Sequence, residues 1–176
     1  GCTVVRNAAY GNASGIIGFS YCTILNNSTC NNATGISASG TITGNTSCGN
    51  KGIGILGSGS MITVNTANSN LNSGISASDG SLVLANVAAY NNISENQTSG
   101  GIRTGDWGST IKGNTAYKNH QHNIYVTGYD NVVEQNTVTK CMPGYGIRFN
   151  PNMYGNFFAN NRAASNQTNY GDTSGN

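Results

Sequence analysis

Residues 108–117 read Gly108-Ser109-Thr110-Ile111-Lys112-Gly113-Asn114-Thr115-Ala116-Tyr117, and residues 131–139 read Asn131-Val132-Val133-Glu134-Gln135-Asn136-Thr137-Val138-Thr139. Laid over one another on Asn114 and Asn136, the segments share a chemistry. A β-branched residue stands three places before the asparagine, and a small or β-branched residue stands two places after it. The same frame recurs along the chain. It gives a column Asn7, Asn27, Asn45, Asn65, Asn86, Asn114, Asn136 and Asn161, with steps of 20, 18, 20, 21, 28, 22 and 25 residues. Three before it stand Val4, Ile24, Ile42, Ile62, Val83, Ile111, Val133 and Phe158. Two after it stand Ala9, Thr29, Ser47, Ala67, Ala88, Ala116, Val138 and Ala163. Five after it runs a second asparagine column, Asn12, Asn32, Asn50, Asn70, Asn91, Asn119 and Asn166, interrupted by Cys141. Each unit opens on a Gly-Ile pair: Gly15-Ile16, Gly35-Ile36, Gly52-Ile53, Gly74-Ile75, Gly101-Ile102 and Gly146-Ile147, with Asn123-Ile124 in the same place once.

A repeat of about 22 residues, made of short strands and tight turns, predicts a solenoid whose coils pair as parallel strands and rise about 4.8 Å each. Eight such coils make a rod about 38 Å long with one thin continuous core. Stacked asparagines suit its turns, because Asn tolerates left-handed backbone and its amide can bond along the stack. A helical reading fails, since Gly and β-branched residues recur and no 3.6-residue period is sustained.

Composition agrees with one domain of this kind. The chain has 176 residues, 25 of them Gly and 29 Asn, only 8% charged residues and a net charge of +2. So little charge excludes a partner held through nucleic-acid phosphates. No apolar stretch approaches the length of a membrane span, and Gly1-Cys2-Thr3-Val4-Val5-Arg6 does not read as a signal peptide.

The Gly-Ile…Ile-x-x-Asn-x-Ala-x-x-Asn repeat resembles the right-handed parallel β-helices of the pectate-lyase-like superfamily, and most of all its Asn-rich NosD-type repeat proteins. The resemblance runs from residue 1 to about 170 and implies an all-β, single-stranded right-handed parallel β-helix of about eight coils, with residues 171–176 as a polar tail. It implies no single activity, because that superfamily holds lyases, hydrolases, epimerases and adhesins.

The columns place the five cysteines. Cys2 and Cys22 stand five before their ladder asparagines on adjacent coils, and Cys30 and Cys48 stand three after theirs. Stacking at about 4.8 Å brings each pair within disulfide range, predicting Cys2–Cys22 and Cys30–Cys48 in an oxidising compartment. The alternative is that all five are small buried residues, as Cys141, which has no stacking partner, is expected to be. No Cys/His spacing suggests zinc.

Two outward columns carry the candidate chemistry. The residue after each Gly-Ile reads Ile17, Ser37, Gly54, Ser76, Arg103, Tyr125 and Arg148. Seven before the ladder asparagine stand Ser58, Asp79, Trp107, Tyr129 and Tyr154. Trp107, Tyr129 and Tyr154, with Arg103, Tyr125, Arg148, Asp106 and Asp130, form a candidate carbohydrate face. Aromatic rings stack on sugars and arginine pairs with carboxylates. The longest insertion, Asn92 to Gly100, enters the same half of the rod. By resemblance to the lyases and epimerases, Tyr125 or His122 would move the proton beside a uronate carboxylate and Arg103 and Arg148 would clamp that carboxylate. Equally, the aromatics could be a turn-stabilising ladder with solvated arginines beside it. Four Asp and two Glu, scattered, fall short of the carboxylate clusters that glycosidases need. Asp79, Asp106 and Asp130 offer at most a sparse calcium site, so no cofactor is expected. His120 and His122, two apart on a turn, read as exposed rather than metal-binding.

Of the sequons at Asn12, Asn26, Asn27, Asn32, Asn45, Asn92, Asn96 and Asn166, only Asn26, Asn92 and Asn96 are expected to be accessible. No helical cap is visible at either end, which suits either a piece of a longer protein or end-to-end stacking into filaments. The sequence therefore predicts a secreted or cell-surface structural solenoid that works through its surface, by self-association or polysaccharide contact. A uronate lyase or epimerase and a non-catalytic carbohydrate-binding module are the alternatives.

Overall fold

The computed structural model describes residues 1–95 and 97–171, and every regular element in them is a strand. No helix among them is long and apolar enough to cross a membrane. The strands form a parallel β-helix of about eight coils with three faces. The first face follows each Gly-Ile position and includes Ile55–Ser58, Ile75–Ser78, Ile102–Thr104, Gln121–Val126 and Gly144–Phe149. The second carries the apolar column that precedes the ladder, as in Met61–Thr63 and Thr110–Lys112. The third is an eight-stranded sheet from Ala8–Tyr10 to Arg162–Ala164. In the second and third coils one strand, Ser14–Leu25 or Thr34–Thr43, runs through the first two faces without a break. All pairings between coils are parallel and join the residues that the columns align: Val4 with Ile24, Ala88 with Ala116, Arg103 with Tyr125.

The core is the sum of these columns. Ile24, Ile42, Ile62, Val83, Ile111 and Val133 of the second face meet Ile36, Ile55, Ile75, Ile102, Ile124 and Ile147 of the first, all fully buried. Ala67, Ala88 and Ala116 fill the narrow third side. The column departs from the sequence reading at one place. Ile55, not Ile53, pairs with Ile36 and Ile75, so Gly54-Ile55 is the opening pair of the fourth coil. The run Gly52-Ile53-Gly54-Ile55 offers both frames, and only the second puts an isoleucine wholly inside. Leu56 therefore replaces Gly54 in the outward column.

The asparagine ladders close two of the three corners. Each amide Nδ2 donates to the Oδ1 of the next coil's asparagine, as from Asn45 to Asn65 at 3.0 Å, and to a carbonyl of the coil before, here Ile24 at 2.9 Å. The Asn45 backbone N–H also donates to Asn65 Oδ1, at 2.8 Å. Buried amides thus satisfy both themselves and the turn. The left-handed residue is not the ladder asparagine but the one before it. Arg6, Asn26, Gly44, Val64, Ala85, Gly113, Gln135 and Asn160 all have φ between 55° and 67°. The residue before the second ladder is left-handed too, as at Asn31, Ser69 and Lys118. A methyl group at Gly15, Gly35, Gly54, Gly74, Gly101 or Gly146 would overlap an amide of that second ladder, which is why glycine opens the coils. Where Cys141 interrupts the ladder, Asn123 supplies the rung. It accepts from Asn119 at 2.8 Å and donates to Asn166 at 3.0 Å.

A third ladder lies five residues before the first. Ser60, Ser81, Ser109, Asn131 and Asn156 pass backbone N–H to side-chain oxygen from coil to coil at 2.9–3.2 Å. Cys2 and Cys22 head this column and are joined, as are Cys30 and Cys48, each pair with Cα atoms 4.6 Å apart. Cys141 is free and buried. Of the sequons expected to be accessible, Asn26 is exposed but Asn92 is fully buried, its backbone N–H held by the Asn70 and Asn72 carbonyls. Asn12, on the first coil, is exposed. Asn96 and residues 172–176 lie outside the described residues.

Candidate functional site: a groove on the first face

Strand alternation sets Arg103, Tyr125 and Arg148 side by side on successive coils, with Tyr125 in the middle. They do not form an open face. The Asn92–Gly100 insertion, anchored where the Gly100 carbonyl accepts from the Gly74 N–H, lies beside them and turns the strip into a groove. Tyr125 is only 5% exposed, and its hydroxyl donates to Asn150 Oδ1 at 3.3 Å. The groove measures about 430 Å³; Arg103, Asp106, Tyr125, Thr127 and Asn150 line it, and Thr98 of the insertion walls it. Towards the N-terminal coils it opens over Ser76 and Leu56. Thr98, Thr127 and Asn150 are additions to the sequence-derived set. Two of them were within reach of alternation: Thr127 stands two after Tyr125 and Asn150 two after Arg148, on the same side of their strands.

The cations differ in state. Arg148 sits over the rings of Tyr125 and Tyr145, with Cζ 5.8 and 5.0 Å from the centroids. Arg103 has no carboxylate partner: the ion pairs of the described residues are Lys112–Glu134 at 2.7 Å and His120–Glu95 at 3.8 Å. Its Nε is shut away from solvent and hydrogen-bonded to nothing. A buried donor left unpaired costs about 1–3 kcal/mol.

His122 does not reach the groove. It is 1% exposed, packed under Tyr125 and Tyr145 with ring centroids 4.5 and 5.6 Å away. The expectation of an exposed imidazole fails here, because the insertion covers it. Its Nε2 donates to the Gln97 carbonyl at 3.1 Å, leaving Nδ1 bare. Burial, with the Arg148 charge adding to it, lowers its pKa to about 4, so the ring is neutral at pH 7. His120 stays half-exposed beside Glu95. The Cys141 thiol donates to the Asn119 carbonyl at 3.0 Å, and burial pushes its pKa up to about 12, so it is no thiolate.

Next to the groove the corner carries the aromatic column. Trp107 and Tyr129 stack at 4.8 Å with planes 26° apart, and Tyr154 meets Tyr129 edge-on at 4.9 Å. Asp79, Asp106 and Asp130 all occupy left-handed turn positions, with φ of 53°, 60° and 52°. Asp79 Oδ2 accepts from the hydroxyls of Ser58 and Ser78. The three do not converge, and no three His, Cys, Asp or Glu among the described residues are grouped to hold a metal ion.

Fold and groove together define a parallel β-helix with a polar cleft on its first face. The chain belongs to the NosD family: the family model described as "Periplasmic copper-binding protein (NosD)" matches residues 1–176. Among solved structures it is similar to the A-module of the mannuronan C-5 epimerase AlgE4 of Azotobacter vinelandii, with a TM-score of 0.73 and 16% identity. That match takes in 98% of this chain but only 57% of the module, and at such identity it speaks for the fold alone. No curated protein matches the chain in sequence. The donors present do not fit the copper of the family's description. Four of the five cysteines are in disulfides, Cys141 is a buried thiol, and His122 is enclosed.

Proposed function

We propose that the chain is a β-solenoid of an oxidising, non-cytoplasmic compartment that binds a carboxylated polysaccharide in the first-face groove. The observation that carries the reading is Arg103, a guanidinium with no carboxylate partner among the described residues, on the wall of a groove whose other polar lining is mostly hydroxyl and amide, with the Tyr125 phenol and the single carboxylate of Asp106. A uronate carboxylate would complete it with charge-assisted bonds, and Thr127, Asn150 and Asp106 would meet sugar hydroxyls. Stacked aromatics at the adjoining corner and two disulfides support the same reading, as does the likeness to an epimerase module.

Calorimetric titration with oligogalacturonate and oligomannuronate, beside a neutral glucan, tests it. The acidic oligomers are expected to bind and the neutral glucan not. Arg103→Ala should weaken binding by about ten- to a hundredfold, the loss of a charge-assisted bond of about 1.5–3 kcal/mol. Equal binding of neutral and acidic glycans, or an Arg103→Ala variant as tight as the parent, would sink the reading.

One observation favours a second reading, a lyase or epimerase: Tyr125, its hydroxyl bonded to Asn150, lines the groove one strand from Arg103, which would place a proton carrier beside a carboxylate clamp. Turnover would appear as unsaturated product or as solvent deuterium at the carbon beside the carboxylate, and Tyr125→Phe would abolish it.

A further inference from the structure

Phe19 and Tyr21 are the most exposed large apolar side chains of the described residues, at 82% and 87%. They stand on an irregularity that lifts them off the rod. Between Gly18, paired with Ala38, and Cys22, paired with Gly40, three residues, Phe19-Ser20-Tyr21, stand opposite the single residue Ser39. Tyr21 is held at φ 62°, a left-handed conformation that costs a side-chain-bearing residue about 1–2 kcal/mol. Two large apolar side chains held in solvent have no return in packing.

Their place on the rod gives the pair a use. A second cleft, of about 220 Å³, runs from Ser20 and Tyr21 over Ser39 and Gly40 to Gly59. The Arg103 groove begins on that same fourth coil, at Leu56, and continues to Asn150 on the eighth. Both clefts lie where the first face turns towards the second, so they follow one another along the axis. The stretch between includes the small residues Ser39, Gly40, Ser58 and Gly59. From Tyr21 to Arg103 is four coil steps through the paired strands. At about 4.8 Å each this is about 19 Å, and the rise is comparable to the ring-to-ring repeat of a linear glycan.

We infer that the two clefts are one track for an extended polysaccharide parallel to the axis, with Phe19 and Tyr21 as a remote stacking subsite that sets the length of chain preferred. The inference rests on the groove reading above. It adds that a sugar four or more rings away from the Arg103 carboxylate is held by aromatic faces on the second coil. The charge suits this end of the track: the cleft's own lining holds no charged residue, so the distant rings are gripped by stacking and not by their carboxylates.

Binding of an oligouronate series from trimer to decamer tests it. In the wild type the dissociation constant should fall with length and gain about tenfold once the oligomer is long enough to reach from Arg103 to Phe19. Phe19→Ala and Tyr21→Ala, both exposed and structurally tolerant, should flatten that late gain. Ser39→Trp, which plugs the floor one coil from Tyr21, should do the same. If the wild type binds but its affinity stops improving at short lengths, or if the variants keep the late gain, the track is wrong while the groove reading stands. If no oligouronate binds at any length, the groove reading fails and the track with it.

Discussion

His122 links the groove to its solvent conditions without touching a ligand. The ring is neutral and buried between the aromatic wall and the insertion, with one nitrogen spent on the Gln97 carbonyl. Its folded pKa, about 4, lies below the ordinary value of 6.5. Between those values the unfolded chain binds a proton that the folded chain refuses, so stability is full above pH 6.5 and falls as the pH drops towards 4. At 1.36 kcal/mol per unit, acidification from about pH 7.5 to about pH 4.5 should cost about 2.5 kcal/mol. Urea denaturation at the two pH values measures it. His122→Gln keeps a donor for Gln97 and cannot titrate, so its stability should change less over the same interval. A variant as acid-sensitive as the parent would assign the loss to other groups. Because the ring supports Tyr125 and the segment carrying Thr98, the groove is expected to loosen over the same pH range.

At the scale of the element, the ladders decide whether a coil can exist. Asn65 Oδ1 accepts both the backbone and the amide of Asn45, and its Nδ2 supplies the Ile42 carbonyl and Asn86. Asn65→Ala leaves a buried N–H, an amide hydrogen and a carbonyl without partners, a loss of about 2–4 kcal/mol. Asn7→Ala, on the exposed first coil, removes donors to Asn27 and Val5 that water replaces, and should cost under about 1 kcal/mol. Equal losses in the two variants, read by chemical denaturation, would deny the ladder its role. These columns were legible in the sequence because the amide of asparagine both accepts and donates along the stack, so Asn45, Asn65 and Asn86 mark the register themselves. The serine rungs Ser60, Ser81 and Ser109 were not legible, since only the backbone N–H of one meets the hydroxyl of the next and cysteine or glycine can hold the same position. The two-residue slip at Gly52-Ile53-Gly54-Ile55 arose because the sequence repeats itself inside one coil. The site was half legible: Arg103, Tyr125 and Arg148 follow from alternation, but the burial of Tyr125 and His122 depends on an insertion that obeys no period.

The whole rod behaves as a line of neighbours, so its weakest coils set where it opens. The inward column of the third face is uneven. Coils five to eight offer Ala88, Ala116, Val138 and Ala163, whereas the second and third coils bury Thr29 and Ser47, hydrogen-bonded to one another at 3.1 Å, with Ser47 also bonded to the Gly54 carbonyl at 2.8 Å. A hydroxyl inside contributes less than a methyl group even when satisfied. Both disulfides join these N-terminal coils, Cys2–Cys22 the first to the second and Cys30–Cys48 the second to the third, across 20 and 18 residues. Loops of that size are worth about 3 kcal/mol apiece in the unfolded chain's lost freedom. Both covalent links therefore involve coils whose inward residue on the third face is a hydroxyl. Reduction should open the rod from that end alone. Hydrogen exchange with and without reductant is expected to show faster exchange at amides of the first three coils, up to about Gly49, while Thr66–Asn68 and every later strand keep their protection. Exchange that quickens uniformly from Thr3 to Gly171 would mean that the rod unfolds as one unit and that the disulfides stabilise all of it.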